Sequence, residues 1–207
     1  MNKPKDWWGN PKNAKEWINQ VAKHKNDLTY TEQPNIVIEE LSKHINKFDS
    51  IMEVGSGTGH LIGNIKKKYP NKICSCMDIN WELMNLTFNK YKLDDGIQQD
   101  ITEDLIYTKK HNLVFTYQVL QHINPDNIRK ALNNLLSLTN KELWMWEGIG
   151  KHEGYKHLDK THSAHDGSWI YHINKMVECY EVSIPKTNKI ELTRQRLYRV
   201  KINGNNK

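Results

Sequence analysis

Ile51-Met52-Glu53-Val54-Gly55-Ser56-Gly57-Thr58-Gly59 is the stretch on which the reading of this chain turns. Its apolar start continues from Ser50, and beyond Gly59 apolar positions return at helical spacing through Leu61, Ile62 and Ile65. That pattern predicts a buried strand, a glycine turn and a helix. Glycine tolerates positive φ and, having no Cβ, lets the main chain approach a ligand closely, so the turn reads as a cradle at the carboxyl end of a strand. The spacing is G-x-G-x-G, not the G-x-G-x-x-G of a dinucleotide turn, and the G-K-[ST] of a phosphate-binding P-loop is missing. Glu53 stands two residues before the first glycine. A carboxylate there repels pyrophosphate and suits an ammonium or other cation.

Outward from this turn the chain alternates. Helical spacing covers residues 12–25 and 32–48, with Pro34 near the start of the second segment. Downstream, an apolar run from Ile73 to Met77 ends at Asp78 and leads to a helix over Trp81 to Lys92; Ile97 to Asp100 is a short third strand. Leu113 to Tyr117 is a fourth, Pro125 to Leu138 a helix with proline in its first turn, and Glu142 to Glu147 a fifth strand. Strands alternating with helices of this length predict an α/β, doubly wound, mostly parallel sheet with helices on both faces. A polar loop over 148–167, a helix to Val177 and two β-rich runs, Glu178 to Ile184 and Arg194 to Ile202, complete the chain as a terminal hairpin. No internal repeat or linker appears, so one domain over 1–207 is expected, with 1–48 as a helical cover.

Composition excludes several classes. With 207 residues, 37% apolar and 26% charged, the chain has enough apolar content for a core and is not disordered. No apolar run approaches the roughly 18 residues of a membrane span, and the N-terminus lacks a signal-peptide stretch, so a soluble, cytoplasmic protein with no membrane partner is expected. The 30 Lys plus Arg against 24 Asp plus Glu leave a formal charge of +6. Lysine is scattered, its densest run being Lys66-Lys67-Lys68, which disfavours a nucleic-acid partner without removing it. Cys74, Cys76 and Cys179 form no C-x-x-C pair and read as reduced thiols.

Two further carboxylates accompany the glycine turn. Asp78 at the end of the second strand is where an acidic group accepts from the hydroxyls of an adenosine ribose. Asp100 at the end of the third is placed to accept from an adenine amino group, with Ile79 and Ile101 flanking the ring.

Ile51 to Gly59, Met77-Asp-Ile-Asn80, Gln99-Asp-Ile101 and Leu113 to Ile123 together resemble the first to fourth motifs of the Rossmann-like (class I) S-adenosylmethionine-dependent methyltransferases. The resemblance covers roughly residues 30–147. It implies a seven-stranded sheet of order 3-2-1-4-5-7-6 with the seventh strand antiparallel, and S-adenosylmethionine as cofactor. It also implies that Gly55, Ser56, Gly57, Thr58 and Gly59 line the methionine part, with Glu53 beside its amine. Asp78 with Ile79 would hold the ribose and one ring face, and Asp100 with Ile101 the adenine, while Tyr117 and Gln118 border the reacting end. In relatives the N-terminal segment folds over the cofactor. Of Trp7, Trp8, Trp17 and Tyr30, we take Tyr30 as that cover. More loosely, Phe115 to Pro125 is similar to methylases associated with pseudaminic acid biosynthesis and other small-molecule methyltransferases.

The end of strand four narrows the acceptor. Phe115-Thr-Tyr117-Gln118 is not the Asp/Asn-Pro-Pro-Tyr/Phe of base-amine methylases, and no Pro-Cys supplies a thiolate for cytosine chemistry. Metal-dependent O-methyltransferases carry E-x-x-E-H here, whereas this chain reads Gln118-Val-Leu-Gln121-His122; amides in place of carboxylates make a poor Mg²⁺ site, and no metal is expected. His122 is a candidate general base or a structural histidine, Tyr117 a candidate at the reacting centre, and Glu147 a candidate for orienting an acceptor hydroxyl or amine. Trp144 and Trp146 alternate on one face of strand five and read as core. His152, His157, His162 and His165, with Tyr155, Asp159 and Trp169, make 148–167 a polar acceptor lid rather than a zinc site. The expected reaction is methyl transfer to oxygen or nitrogen of a small polar metabolite, such as a sugar or sugar-derived acid. An RNA methyltransferase and a non-catalytic S-adenosylmethionine-binding protein stay open beside it.

Overall fold

The computed structural model describes residues 7–23, 28–148, 171, 173–177, 180–183 and 195–202. Its strands are β1 (Ser50–Val54), β2 (Ile73–Asp78), β3 (Asp95–Gln98), β4 (His111–Tyr117), β5 (Thr139–Gly148), β6 (Glu181–Ser183) and β7 (Gln195–Lys201). Its helices are α1 (Pro11–Lys23), α2 (Leu28–His44), α3 (His60–Lys68), α4 (Trp81–Tyr91), α5 (Pro125–Leu138) and α6 (Ile173–Met176), with single 3-10 turns at Ile45–Lys47 and Leu120–His122. The sheet order is β3-β2-β1-β4-β5-β7-β6. β1, β2 and β3 pair in parallel, as do β4 and β5, while β7 runs antiparallel to β5 and β6. This is the α/β, doubly wound order that the motif resemblance implies. Among the described residues no helix is long and apolar enough to cross a membrane.

The chain divides into two compact units, the first ending at Asp100 and the second beginning at Ile101. In the first, β1 and β2 are buried along nearly their whole length, and the core is built on Ile51, Met52, Val54, Cys74, Cys76 and Met77 with Leu61, Ile62 and Ile65 of α3. Strands buried on both faces read as continuous apolar runs, which is why these two are legible in sequence. Cys74 and Cys76 are free, buried thiols, and burial pushes each up to about 12, so they serve as packing; Cys179 lies outside the described residues.

Several boundaries differ from the sequence reading: β4 and β5 start earlier, at His111 and Thr139, and so do β3 and α2. β3 spans Asp95–Gln98, two residues before the predicted run, because the Asp94 carboxylate accepts the Cys74 amide at 2.7 Å and the chain pairs with β2 immediately afterwards. Pro34 lies inside α2, whose backbone is helical from Leu28.

In the second unit, α5 begins at Asn124, whose side chain accepts the Asp126 amide at 2.9 Å, a cap contributing about 1 kcal/mol. Its buried stripe is Ile128, Ala131, Leu132, Leu135 and Leu138, the i, i+3, i+4, i+7 spacing of one helix face. Trp144 and Trp146 are buried core residues, as predicted, and the Arg199 guanidinium lies 4.0 Å from the Trp144 ring centre. The terminal hairpin forms as β6 and β7.

Candidate active site

The first unit carries the glycine turn. Gly55, Gly57 and Gly59 all have positive φ, at 74°, 51° and 71°. The turn is fastened to β2: the Gly55 and Ser56 amides donate to the Met77 carbonyl at 2.8 and 3.2 Å, and the Gly57 amide donates to Asp78 Oδ2 at 2.8 Å. Thr58 lies half-buried in the turn, and Ser56 is buried.

Gly57 and Gly59 are glycines for different reasons. A Cβ on Gly57 would have the Trp17 indole nitrogen 3.5 Å away, an ordinary contact, so space beside this main chain is bounded by Trp17 of α1. A Cβ on Gly59 would overlap the Thr87 side chain, coming 2.7 Å from its Oγ1. The last glycine therefore serves the approach of α4, although the sequence reading placed it against the ligand. Thr87 Oγ1 in turn donates to the Gly57 carbonyl at 2.9 Å.

Asp78 is 7% exposed. Its Oδ2 accepts the Gly57 amide and its Oδ1 the Asn80 amide at 2.9 Å. Burial raises its carboxyl, opposed by the amides of Asn80, Gly57 and Ile79. Each carboxylate oxygen has two lone pairs, so an anchored Asp78 keeps acceptor capacity for two hydroxyls. Ile79 is half-buried, its side chain 3.6 Å from where a Cβ on Gly9 would sit. Asp100 is half-buried two residues beyond β3, where the Gln99 amide donates to the Asp78 carbonyl at 3.0 Å. Glu53 is buried beneath the turn, with Oε2 accepting the Ile62 amide at 3.0 Å in the first turn of α3. Burial, with a smaller contribution from Asp78, pushes Glu53 up to about 8.

Tyr30 lies in α2, but its side chain is outside the described residues. Among the described residues Trp17 is an aromatic group beside the turn, edge-on to Trp8 at 5.2 Å, which is edge-on to Trp7 at 4.6 Å. Its signal in the sequence was a tryptophan on a short amphipathic helix, a pattern that does not say what the helix covers.

The second unit carries Ile101, Tyr117, Gln118, His122 and Glu147. Ile101 is buried, its carbonyl accepting Asn134 Nδ2 at 2.7 Å. Tyr117 ends β4 half-buried, in register with Trp146. Gln118 then takes φ 55°, a left-handed conformation costing about 1 kcal/mol, and its amide donates to the Trp146 carbonyl at 2.8 Å.

Glu147 is 4% exposed, and its carboxylate is held by the end of β4 and the loop that follows it. Oε1 accepts Thr116 Oγ1 at 2.9 Å and the Val119 amide at 3.3 Å, and Oε2 accepts the Leu120 amide at 3.1 Å. Burial pushes Glu147 up to about 7 against these donors. It holds the loop that carries Gln118 to His122, where the sequence reading had set it against the acceptor. His122 is half-buried, its Nε2 3.3 Å from Gln121 Nε2, and Gln121 Oε1 lies 3.1 Å from where a Cβ on Gly148 would be. Tyr171 donates from its hydroxyl to the Ile123 carbonyl just beyond. The lid residues 149–167 and Trp169 lie outside the described residues. Among the described ones no cluster of three or more His, Cys, Asp or Glu side chains could hold a metal ion.

The first unit suits an adenosyl group with a cationic tail. No Lys or Arg occurs from Ser50 to Gly59 or from Ile73 to Glu82, so neither crossover offers a phosphate its countercharge, while Asp78 offers acceptor lone pairs to ribose hydroxyls and Glu53, once ionised, a countercharge to a cation.

No protein-family model matches the chain, and no curated protein matches it in sequence. Its fold is matched among solved structures. Magnesium protoporphyrin IX methyltransferase (ChlM) from Synechocystis PCC 6803 with bound S-adenosylmethionine superposes with a TM-score of 0.61 at 15% identity, over 88% of this chain and 84% of that one. The plantazolicin methyltransferase BpumL with S-adenosylhomocysteine gives 0.63 at 13% identity, over 97% and 94%. The N-methyltransferase NodS from Bradyrhizobium japonicum with S-adenosylhomocysteine gives 0.62 at 11% identity, over 90% and 96%. The chain therefore has the fold of the class I S-adenosylmethionine-dependent methyltransferases.

Proposed function

We propose that this protein is an S-adenosylmethionine-dependent methyltransferase acting on an oxygen or nitrogen of a small polar metabolite, with a sugar or sugar-derived acid as the preferred acceptor class. The observation that carries the reading is the Asp78 carboxylate at the end of β2, hydrogen-bonded to the Gly57 amide of a turn with three positive-φ glycines. The three solved structures named above, each holding S-adenosylmethionine or S-adenosylhomocysteine, support the cofactor, and the acceptors that two of their names carry, magnesium protoporphyrin IX and plantazolicin, support small-molecule chemistry.

The cofactor, when bound, supplies a methyl group on a sulfonium. Asp78 would hold the ribose hydroxyls, Gly55 and Gly57 the methionine part, Ile79 and Ile101 the adenine faces with Asp100 at its amino group, and Glu53 the positive charge. Transfer from a sulfonium is an in-line displacement, so the remaining work is alignment of the acceptor and, for a hydroxyl, removal of its proton. His122 is the group we assign to that proton, with Tyr117 and Gln118 bordering the acceptor and Glu147 acting as a positioning residue through Val119 and Leu120. The test is calorimetry with S-adenosylhomocysteine and with NAD, followed by methyl-release assays on metabolite and RNA pools. Tighter binding of NAD would sink the cofactor assignment, and methylation confined to RNA would move the acceptor to nucleic acid.

A further inference from the structure

Asn80 is 1% exposed, follows the proposed ribose carboxylate by two residues, and uses every polar group it has. Its main-chain amide donates to Asp78 Oδ1 at 2.9 Å. Its Oδ1 caps α4, accepting the Glu82 and Leu83 amides at 3.0 and 3.3 Å. Its Nδ2 donates to the carbonyls of Trp8 and Asn10 at 2.9 and 3.1 Å, a link to chain 72 and 70 residues away.

The turn it grips is itself tied. The Asn10 amide donates to the Trp7 carbonyl at 3.3 Å, Asn13 Nδ2 to the same carbonyl at 2.8 Å, and Asn10 Oδ1 accepts the Lys12 amide at 3.0 Å as α1 begins. From this start α1 runs to Trp17 beside Gly57, while Gly9 lies against Ile79. Residues 7–17 thus meet the ligand-cradle elements at Ile79, Asn80 and Gly57, and the contact at Asn80 is made of hydrogen bonds.

We propose that Asn80 is a positioning residue that couples occupancy of Asp78 to closure of the N-terminal tryptophan segment. The inference rests on the cofactor reading above. Asn80 cannot turn about its side-chain bonds without giving up the α4 cap and both tether bonds together, and its amide is fixed to the carboxylate that a ribose would engage. A ligand that orders Asp78 therefore orders residues 7–17, and loosening that segment loosens the ligand.

The variant that separates these roles is Asn80→Ser. Serine keeps a capping oxygen for α4 and the main-chain amide to Asp78, and removes only the two donors to Trp8 and Asn10. The expected result in the free protein is tryptophan emission shifted to longer wavelength. Calorimetry and stopped-flow should show S-adenosylhomocysteine bound at least about fivefold more weakly, chiefly through faster dissociation. Adding Trp17→Ala to Asn80→Ser should cost less affinity than Trp17→Ala alone. Equal affinity of wild type and Asn80→Ser, with S-adenosylhomocysteine bound by both, overturns the coupling and leaves the cofactor reading standing. Absence of binding by wild type overturns both. If Asn80→Ser does not fold, hydrogen exchange on wild type decides: the ligand must slow exchange over residues 7–17, and unchanged exchange there overturns the coupling.

Discussion

The Asp78 carboxylate and the Gly57 amide are joined by a 2.8 Å hydrogen bond across 21 residues, tying the end of β2 to the turn after β1. One side chain thereby shapes the cradle and faces the proposed ribose. Asp78→Ala should weaken S-adenosylhomocysteine by at least tenfold, through loss of about 1.5–3 kcal/mol of charge-assisted hydrogen bonding. Calorimetry reads this directly, and unchanged affinity would remove Asp78 from the site.

Gly57→Val puts a β-branched residue at φ 51° and fills the space between the turn and Trp17. We expect binding to vanish while far-ultraviolet circular dichroism keeps its shape, with a lower melting temperature from the strained residue. Retained binding would show that the ligand does not approach this main chain.

Gly59→Ala is expected to act on stability instead. The new methyl would collide with Thr87, at a cost of about 1–3 kcal/mol, and φ 71° adds about 1 kcal/mol. Thr87→Ala in the same chain removes the colliding atoms and should recover part of the loss. Urea unfolding of the two single variants and the double measures it; simple additivity would mean that Thr87 is not the obstacle.

Glu53 and Glu147, raised to about 8 and about 7 by burial, set opposite pH trends for folding and for binding. An acid whose folded pKa lies above its unfolded value binds more protons when folded. Its stabilising contribution is full below about pH 4.5 and is lost as pH rises through 7 and 8, by up to about 1.4 kcal/mol per pH unit for each group. Urea midpoints should fall from pH 5 to pH 8.5, and less so in Glu53→Gln. A cation held beside Glu53 lowers its pKa, so cofactor binding should release protons and tighten with pH over the same range. Calorimetry in buffers of different ionisation enthalpy detects that release, and a pH-independent affinity would detach Glu53 from the cationic end.

Much of the candidate site's geometry was legible because it is local. The turn from Gly55 to Gly59 and Asp78 announce themselves through short-range periodicity, where a buried strand hands over to a helix. Trp17, Asn80 and Glu147 did not. The sequence offers Tyr30 as the cover, a residue whose side chain lies outside the described ones, and Glu147 as a carboxylate facing an acceptor. Asn80 and Glu147 acquire their roles from atoms distant in sequence: the carbonyls of Trp8 and Asn10 for Asn80, and for Glu147 donors 27 to 31 residues upstream.

From the residues alone came the order of strands and helices, the glycine crossover and the acidic strand end, since backbone preference and apolar periodicity act over a few residues. Tertiary structure decided how the buried carboxylates are used and which tryptophan borders the turn. Burial leaves a polar atom no alternative to its nearest donor, and which donor is nearest depends on chain segments brought together only by folding.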